Sequence, residues 1–189
     1  MFPPAIEVHT AEPRGGVVIR QASIADAEEL ARFGARTWSE TFGPENTPED
    51  LALYLSQSYG PVQQAAELQD PSWTTLLAEE GGRLAGFAQV RTGPRPSCVT
   101  GPAPIELYRF YVDSPWHGKG LARQLMAAVD EEAIRRGAST LWLGVWERNP
   151  RAQAFYRKCG FVDVGEHMFM VGNDPQRDLV MARPLEPAG

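Results

Sequence analysis

The sequence predicts a single α/β (α+β) domain in which a mixed β-sheet is flanked by helices. Three observations carry this reading. A chain of 189 residues, 43% hydrophobic, is long enough for one domain with a sizeable core and cramped for two. Its helical and strand-like runs follow the order αα(α)–ββ–βα–βα–ββ behind a short first strand. Glycine and Asn-Pro mark the junctions where strands hand over to helices, and no internal repeat or low-complexity tract appears.

The elements follow in order. Met1–Gly16, rich in Pro and Gly, reads as an N-terminal extension that is poorly ordered or lies over the surface, ahead of a domain spanning 17–189. Val17–Ile19 is a short strand. From Ile24 to about Glu40, Leu30, Phe33 and Thr37-Trp38 recur at helical spacing behind Ser23 as N-cap. Thr47-Pro48 opens a second helix through Leu51, Leu53, Tyr54 and Leu55, and Pro61–Leu68 is a shorter third. Thr74–Ala78 and Leu84–Val90 form a hairpin around Gly81-Gly82. Thr92–Pro104 is a loop, Ile105–Val112 a strand, and Gly118–Arg136 a long amphipathic helix stopped by Gly137. Thr140–Val145 is a strand, and Asn149-Pro150 starts a helix that stops at Gly160. Phe161–Val164, Met168–Val171 and Leu179–Ala182 close the chain as three strands.

Composition excludes several functions. The apolar fraction excludes disorder, and no apolar run approaches the ~18 residues of a membrane span. No basic stretch followed by an apolar one opens the chain, so a secretory leader is not expected, and the cytoplasm is the expected location. Cys98 and Cys159 stand far apart without metal-ligand spacing and read as reduced thiols, so no metal is expected. The net charge of -6 argues against a nucleic-acid partner. That charge is unevenly spread: residues 1–94 hold 13 acids and 6 bases, residues 95–189 hold 11 acids and 12 bases.

The sharpest local feature is Val112-Asp-Ser-Pro-Trp-His117-Gly118-Lys119-Gly120-Leu121-Ala122-Arg123, at a strand-to-helix turn. Glycines let an anion approach the backbone, and the free N–H groups of a helix's first turn point at it. Lys119 and Arg123 add positive charge. A Walker A loop needs Ser or Thr after Gly-Lys, and a dinucleotide fingerprint needs Gly or Ala at 123; neither is present. A plain turn with two glycines would read the same way.

Read with its surroundings, this loop resembles motif A of the GNAT superfamily of acetyl-CoA-dependent N-acetyltransferases. Gly120 and Ala122 match the last two places of the family pattern, and His117 replaces its usual Arg or Gln. Asn149-Pro-Arg-Ala152-Gln-Ala-Phe155-Tyr156-Arg-Lys-Cys-Gly160-Phe161 resembles the family's Asn-x-x-Ala-x-x-Phe-Tyr-x-x-x-Gly-Phe segment. Three further stretches are similar to the PaiA-type branch of bacterial polyamine acetyltransferases. They are Leu143–Asn149, His167-x-Phe-x-x-Gly172-x-Asp174-x-Gln176-x-Asp178, and Thr37–Phe42 with Asn46-x-Pro48-Glu49. The likeness covers nearly everything from Val17 to Leu185. It implies a GNAT-like, mostly antiparallel central sheet, acetyl-CoA as co-substrate, and direct transfer to a small-molecule amine acceptor in a ternary complex. A polyamine such as spermidine or spermine is the expected acceptor. The rivals are peptide N-termini, other small amines, or a non-catalytic acyl-CoA sensor. A homodimer is common in the superfamily.

The resemblance also assigns roles. Residues 117–123 would hold the pyrophosphate, and the backbone of Phe110, Tyr111 and Val112 would pair with the pantetheine arm. Tyr156 would protonate the departing thiolate, although Ala152, Phe155, Tyr156 and Cys159 also form a core-facing stripe. Glu106 coincides with the family's strand carboxylate that deprotonates the amine; a solvated strand end or an arginine partner is the alternative. A period of two puts it on one face with Tyr108, Phe110 and Val112, opposite Ile105, Leu107 and Arg109. Asn149 would cap its helix and contact pantetheine. Trp38, Phe42 and Tyr54, on the early helices that overhang the acceptor in this fold, would mix core packing with the acceptor-pocket wall. His117 counts as a cofactor-loop residue, and His167 has no assigned role. The acidic first half of the chain lies where the family's acceptor-side helices sit, which suits a cationic amine.

Overall fold

A computed structural model describes residues 16–186. The assignment of 1–16 as an extension falls almost wholly outside them. Seven strands form one sheet in the order β1-β2-β3-β4-β5-β7-β6. These are β1 (Val18–Gln21), β2 (Trp73–Glu80), β3 (Arg83–Arg91), β4 (Pro104–Val112), β5 (Thr140–Trp146), β6 (Val162–Val171) and β7 (Asp174–Pro184). Every neighbouring pair is antiparallel except β4 and β5. The sheet is therefore the mixed, mostly antiparallel one expected, flanked by five helices.

Helices α1 (Ala27–Phe42), α2 (Pro48–Ser58) and α3 (Pro61–Gln69) cover one face, where Leu30, Phe33, Trp38, Tyr54 and Tyr59 pack on Leu77 and Phe87. Helices α4 (Leu121–Arg135) and α5 (Pro150–Lys158) cover the other, where Leu121, Leu125, Val129 and Tyr156 pack on Ala88, Ile105, Leu141 and Leu143. The caps follow the residues: Thr47 Oγ1 accepts the Asp50 N–H at 3.2 Å, and Asn149 Oδ1 accepts the Ala152 N–H at 3.1 Å.

Three boundaries differ from the sequence-based expectation. Ser23 and Asp26 close a capping box around a 3-10 turn, Ile24–Asp26, and the α-helix starts only at Ala27. Helix α4 starts at Leu121, not Gly118, because Gly118 and Gly120 hold φ of 77° and 87°, outside any right-handed helix. The expected strands 161–164 and 168–171 fuse into β6, whose pairing with β7 continues through a bulge between Asp163 and Gly165.

Two irregularities in β4 shape the site. Its register against β3 runs Gln89↔Arg109 and then Val90↔Leu107, which leaves Tyr108 as the extra residue of a bulge. Side-chain alternation changes phase there. Ile105 and Leu107 share the α4 face with Phe110 and Val112, while Arg109 and Tyr111 turn to the α1–α3 face. The strict period of two that grouped Glu106 with Phe110 and Val112 is thus broken by the bulge.

The second irregularity is divergence. β4 and β5 pair only at Pro104↔Thr140, Ile105↔Leu141 and Glu106↔Trp142, whereas β5 stays paired with β7 as far as Trp146↔Asp178. A gap therefore opens between residues 107–112 and 143–146. Behind it, Arg109 is anchored in the core. Its Nη1 donates to Glu67 Oε2 at 2.5 Å and Gln89 Oε1 at 2.6 Å, and its Nη2 donates to the Ser58 carbonyl at 3.1 Å. A charge removed from water this fully needs such a set of partners to be tolerated.

Candidate active site

A cavity of about 400 Å³ fills the gap between β4 and β5 and runs on beneath α1 and α2. One end is made by β4 from Leu107 to Val112, by His117, Gly118, Gly120 and Ala122, and by Asn149, Ala152, Phe155 and Tyr156 of the α5 region. The other end is made by Trp38, Phe42, Tyr54, Trp146, Phe169 and Asp178. Gly144 lies between them on β5.

At the first end, the turn after β4 is held from several sides. Asp113 accepts its neighbour Ser114's N–H at 2.9 Å and both guanidinium nitrogens of Arg36 on α1, each at 2.9 Å. The Arg36 guanidinium holds the Asp113 carboxyl below the usual carboxylate range. His117 Nε2 donates to the Val112 carbonyl at 2.7 Å, so the histidine braces the turn against the strand. The Arg123 and Gln124 N–H groups bond to the Gly120 carbonyl, which begins the ladder of α4. The N–H groups before them have no helical partner, as in any helix's first turn, and Gly120 and Ala122 line the cavity there. No atom lies within 4 Å of where a Cβ at Gly118 or Gly120 would sit, so backbone conformation, not crowding, selects glycine there.

The predicted loop residues do not all face the cavity. Lys119, Leu121 and Arg123 have no side chain in its wall. Leu121 is 1% exposed and belongs to the core under α4, so only its backbone is available to a ligand. Phe110, Tyr111, Val112, His117, Gly118, Gly120, Ala122, Asn149 and Tyr156 all line it. Between Leu107 and Val112 the edge of β4 that faces β5 has no strand partner, which leaves backbone donors and acceptors for an extended ligand.

Tyr156 is buried beside Phe110, Phe155 and Phe161, with ring centroids 6.3, 5.5 and 5.7 Å away. Burial pushes its phenol well above the usual value, and no hydrogen bond opposes that shift. The group is a protonated donor at neutral pH. Asn149 spends Oδ1 on its helix cap, and its Nδ2 lies in the cavity wall region.

Glu106 is elsewhere. It is 7% exposed, does not line the cavity, and accepts Arg91 Nε at 2.6 Å. Arg91 in turn lies 3.8 Å over the Tyr108 ring. Desolvation raises the Glu106 carboxyl and Arg91 only partly offsets it. The bulge at Tyr108 sets Glu106 apart from the cavity-facing residues of β4, and its carboxylate is held by Arg91, the arginine partner named as the alternative.

At the second end, Trp38 and Phe42 stand in the cavity wall. Trp38 packs on Phe42 and Tyr54 at 4.9 and 4.4 Å, Phe42 on Trp146 at 5.8 Å, and Tyr54 on Phe169 at 5.7 Å. One carboxylate, Asp178, lines this aromatic end. Its partner across the β6–β7 hairpin is His167, with Nε2 3.9 Å from Asp178 Oδ2. Burial pushes the Asp178 carboxyl up to about 7 and lowers the His167 imidazole, so the histidine is neutral at pH 7. Sequence reasoning gave neither residue a role. The available signal was that both stand in the stretch similar to the PaiA-type branch, and only the hairpin register brings residue 167 opposite 178. Among the described residues no group of His, Cys, Asp or Glu could hold a metal ion.

Comparison with known proteins agrees with this geometry. The acetyltransferase (GNAT) family matches residues 31–161. An uncharacterized N-acetyltransferase of Lactobacillus delbrueckii subsp. lactis is 31% identical, over 90% of this chain and 98% of its own. An uncharacterized N-acetyltransferase of Mycobacterium tuberculosis H37Rv is 35% identical, over 86% and 99%. The fold matches the crystal structure of PaiA N-acetyltransferase from Thermoplasma acidophilum in complex with coenzyme A. That match has a TM-score of 0.72 at 20% identity and covers 89% of this chain and 99% of that one. The unpaired edge of β4 and the glycine-lined helix start fit an extended thioester ligand with an anionic tail. The chain belongs to the GNAT family and is an acetyl-CoA-dependent N-acetyltransferase.

Proposed function

We propose that the acceptor is a cationic primary amine, with a polyamine such as spermidine as the preferred member of that class. The observation that supports this most is the second end of the cavity, where five aromatic rings surround a single carboxylate, Asp178. Aromatic faces attract an ammonium, and the carboxylate supplies its counter-charge. The α1–α2 junction carries Glu45, Glu49 and Asp50 beside this end. It is tied to the β6–β7 turn by the Asn173 N–H to Asp50 Oδ1 at 2.8 Å and by Gln176 to Asn46 Oδ1 at 2.7 Å. Further ammonium groups of a polyamine would meet acids there.

Acetyl-CoA supplies the activated acetyl group. In this reading the chain's residues do the following. Main-chain N–H groups around Gly118, Gly120, Leu121 and Ala122 hold the pyrophosphate at the positive end of α4. The free edge of β4 at Phe110–Val112 fixes the pantetheine arm, and a backbone N–H there polarises the acetyl carbonyl. Tyr156 donates its phenolic proton to the leaving sulfur, then recovers one from solvent. Asn149 steadies the start of α5 so that Tyr156 keeps its position.

Turnover of acetyl-CoA against spermidine, spermine, alanine amide, a short peptide and an aminoglycoside tests the acceptor. Spermidine and spermine should give the highest kcat/KM. Preference for the peptide would overturn the polyamine reading, and acetyl-CoA binding without turnover of any amine would make the chain a sensor.

A further inference from the structure

The reaction needs a group that takes a proton from the acceptor ammonium, and the Glu106 carboxylate is committed to Arg91. Asp178 and His167 offer a different arrangement. Asp178 lines the cavity at its aromatic end, one strand away from Gly144, and accepts no hydrogen bond that would commit its charge elsewhere. His167 Nε2 is buried and makes no hydrogen bond, although it lies 3.9 Å from Asp178 Oδ2. An unsatisfied buried nitrogen beside an unsatisfied carboxylate is costly, and folds keep such groups where they act. Room for the pair comes from Gly144. A Cβ there would stand 2.7 Å from His167 Nε2 and 3.1 Å from Asp178 Oδ2. The missing side chain leaves room for the imidazole beside the Asp178 carboxylate, and Asp178 itself reaches the cavity wall at the aromatic end.

We propose that Asp178 is the general base for the acceptor amine and that His167 passes its proton to solvent. This rests on the reading of the aromatic end as the acceptor site. The step balances simply. An N–H bond of the ammonium breaks, its electron pair stays on nitrogen, and the proton forms an O–H bond at Asp178 Oδ2. The proton then moves to the Nε2 lone pair of the neutral imidazole. The His167 side chain remains 30% exposed although Nε2 is covered, so the rest of the ring opens a way out to water. A carboxyl displaced to about 7 is matched to this task, because it is about half ionised at neutral pH yet far more basic than an ordinary carboxylate.

The titratable and charged groups around Asp178 are few. His167 stands opposite it on β6, and Tyr54 of α2, Arg109 and Tyr111 of β4 and Arg151 and Tyr156 of α5 share the cavity wall with it. Arg109 is neutralised by Glu67 at 2.5 Å, and burial keeps the tyrosines protonated. None of them contributes to the displacement of the Asp178 carboxyl, which follows from burial alone.

The test has two arms. Carbon-13 carboxyl titration of the ligand-free protein, assigned with Asp178→Asn, should give an Asp178 midpoint near 7 that persists in His167→Gln, since burial alone displaces it; a midpoint in the ordinary range near 4 overturns the proposal. With spermidine and alanine amide as probes, Asp178→Asn should lower kcat by about 10²-fold and abolish the acidic limb of the pH profile, with coenzyme A affinity unchanged. Unchanged kcat, or a rise in KM alone, would make Asp178 only an ammonium anchor and overturn the base role. If the unaltered protein acetylates neither probe, the acceptor reading falls, and the carboxyl titration still decides whether the pair exists.

Discussion

At the scale of single residues, burial sets the chemistry more than charge pairing does. Tyr156 carries no partner and is held protonated by its apolar cage, so Tyr156→Phe should lower kcat by about 10²-fold, the usual contribution of a positioned acid. Coenzyme A affinity measured by calorimetry should stay within experimental scatter. Asp178 makes a stability argument as well. Its folded-state carboxyl is raised, so the folded protein binds a proton that the unfolded chain releases. That contribution is complete below about pH 4 and is lost as pH rises through about 7. Asp178→Asn should therefore raise the Tm at pH 8 by roughly 2–8 °C, on the order of 1–2 kcal/mol, with the gain fading toward pH 4. Asp26 behaves oppositely. Its carboxyl is held well below the usual range by Arg20, so its stabilisation is present above about pH 4 and lost in acid.

At the scale of elements, much was legible from local chemistry. Thr47-Pro48 and Asn149-Pro150 start helices as their caps dictate, and Gly81-Gly82 turns the β2–β3 hairpin. What escaped is non-local. The bulge at Tyr108 is set by the pairing of β4 with β3, and nothing in Ile105–Val112 alone reveals where alternation changes phase. That Glu106 stands apart from the cavity-facing residues of β4 follows directly. The Asp178–His167 pair is likewise a product of hairpin register. Helix α4 began late because two glycines read as helix-tolerant in a sequence but occupy left-handed backbone in the fold. Gly120→Val should weaken coenzyme A binding about tenfold, since a β-branched residue at φ 87° costs about 1–2 kcal/mol and shifts the loop. Arg109→Met with Glu67 intact should cost about 3–5 kcal/mol in urea unfolding, because a buried carboxylate loses its cation.

For the molecule as a whole, charge is partitioned by function. The acidic first half contributes the helices over the aromatic end, and the near-neutral second half contributes the glycine turn and α5. A field of that shape would favour the cationic acceptor proposed above. Raising ionic strength from 0.01 to 0.15 M shortens the Debye length from about 30 to 8 Å. kcat/KM for spermidine should fall several-fold over that range, while kcat/KM for alanine amide stays nearly flat. Equal salt responses would assign the acidic half to solubility alone.

The divergence of β4 from β5 also bears on how the protein holds together. Strands β1–β4 and β5–β7 are joined by a seam of three residue pairs, and beyond Glu106↔Trp142 that seam is open. A ligand lying along the free edge of β4 would act as stitching between two half-sheets, so occupancy and cohesion become one quantity. Amide exchange at Phe110 and Val112 should then slow on adding coenzyme A by more than exchange in β7, which is already paired on both sides. At a hundredfold excess over Kd the fold should gain about 2.7 kcal/mol. Emptied of its ligand, this enzyme is a sheet with its central seam undone.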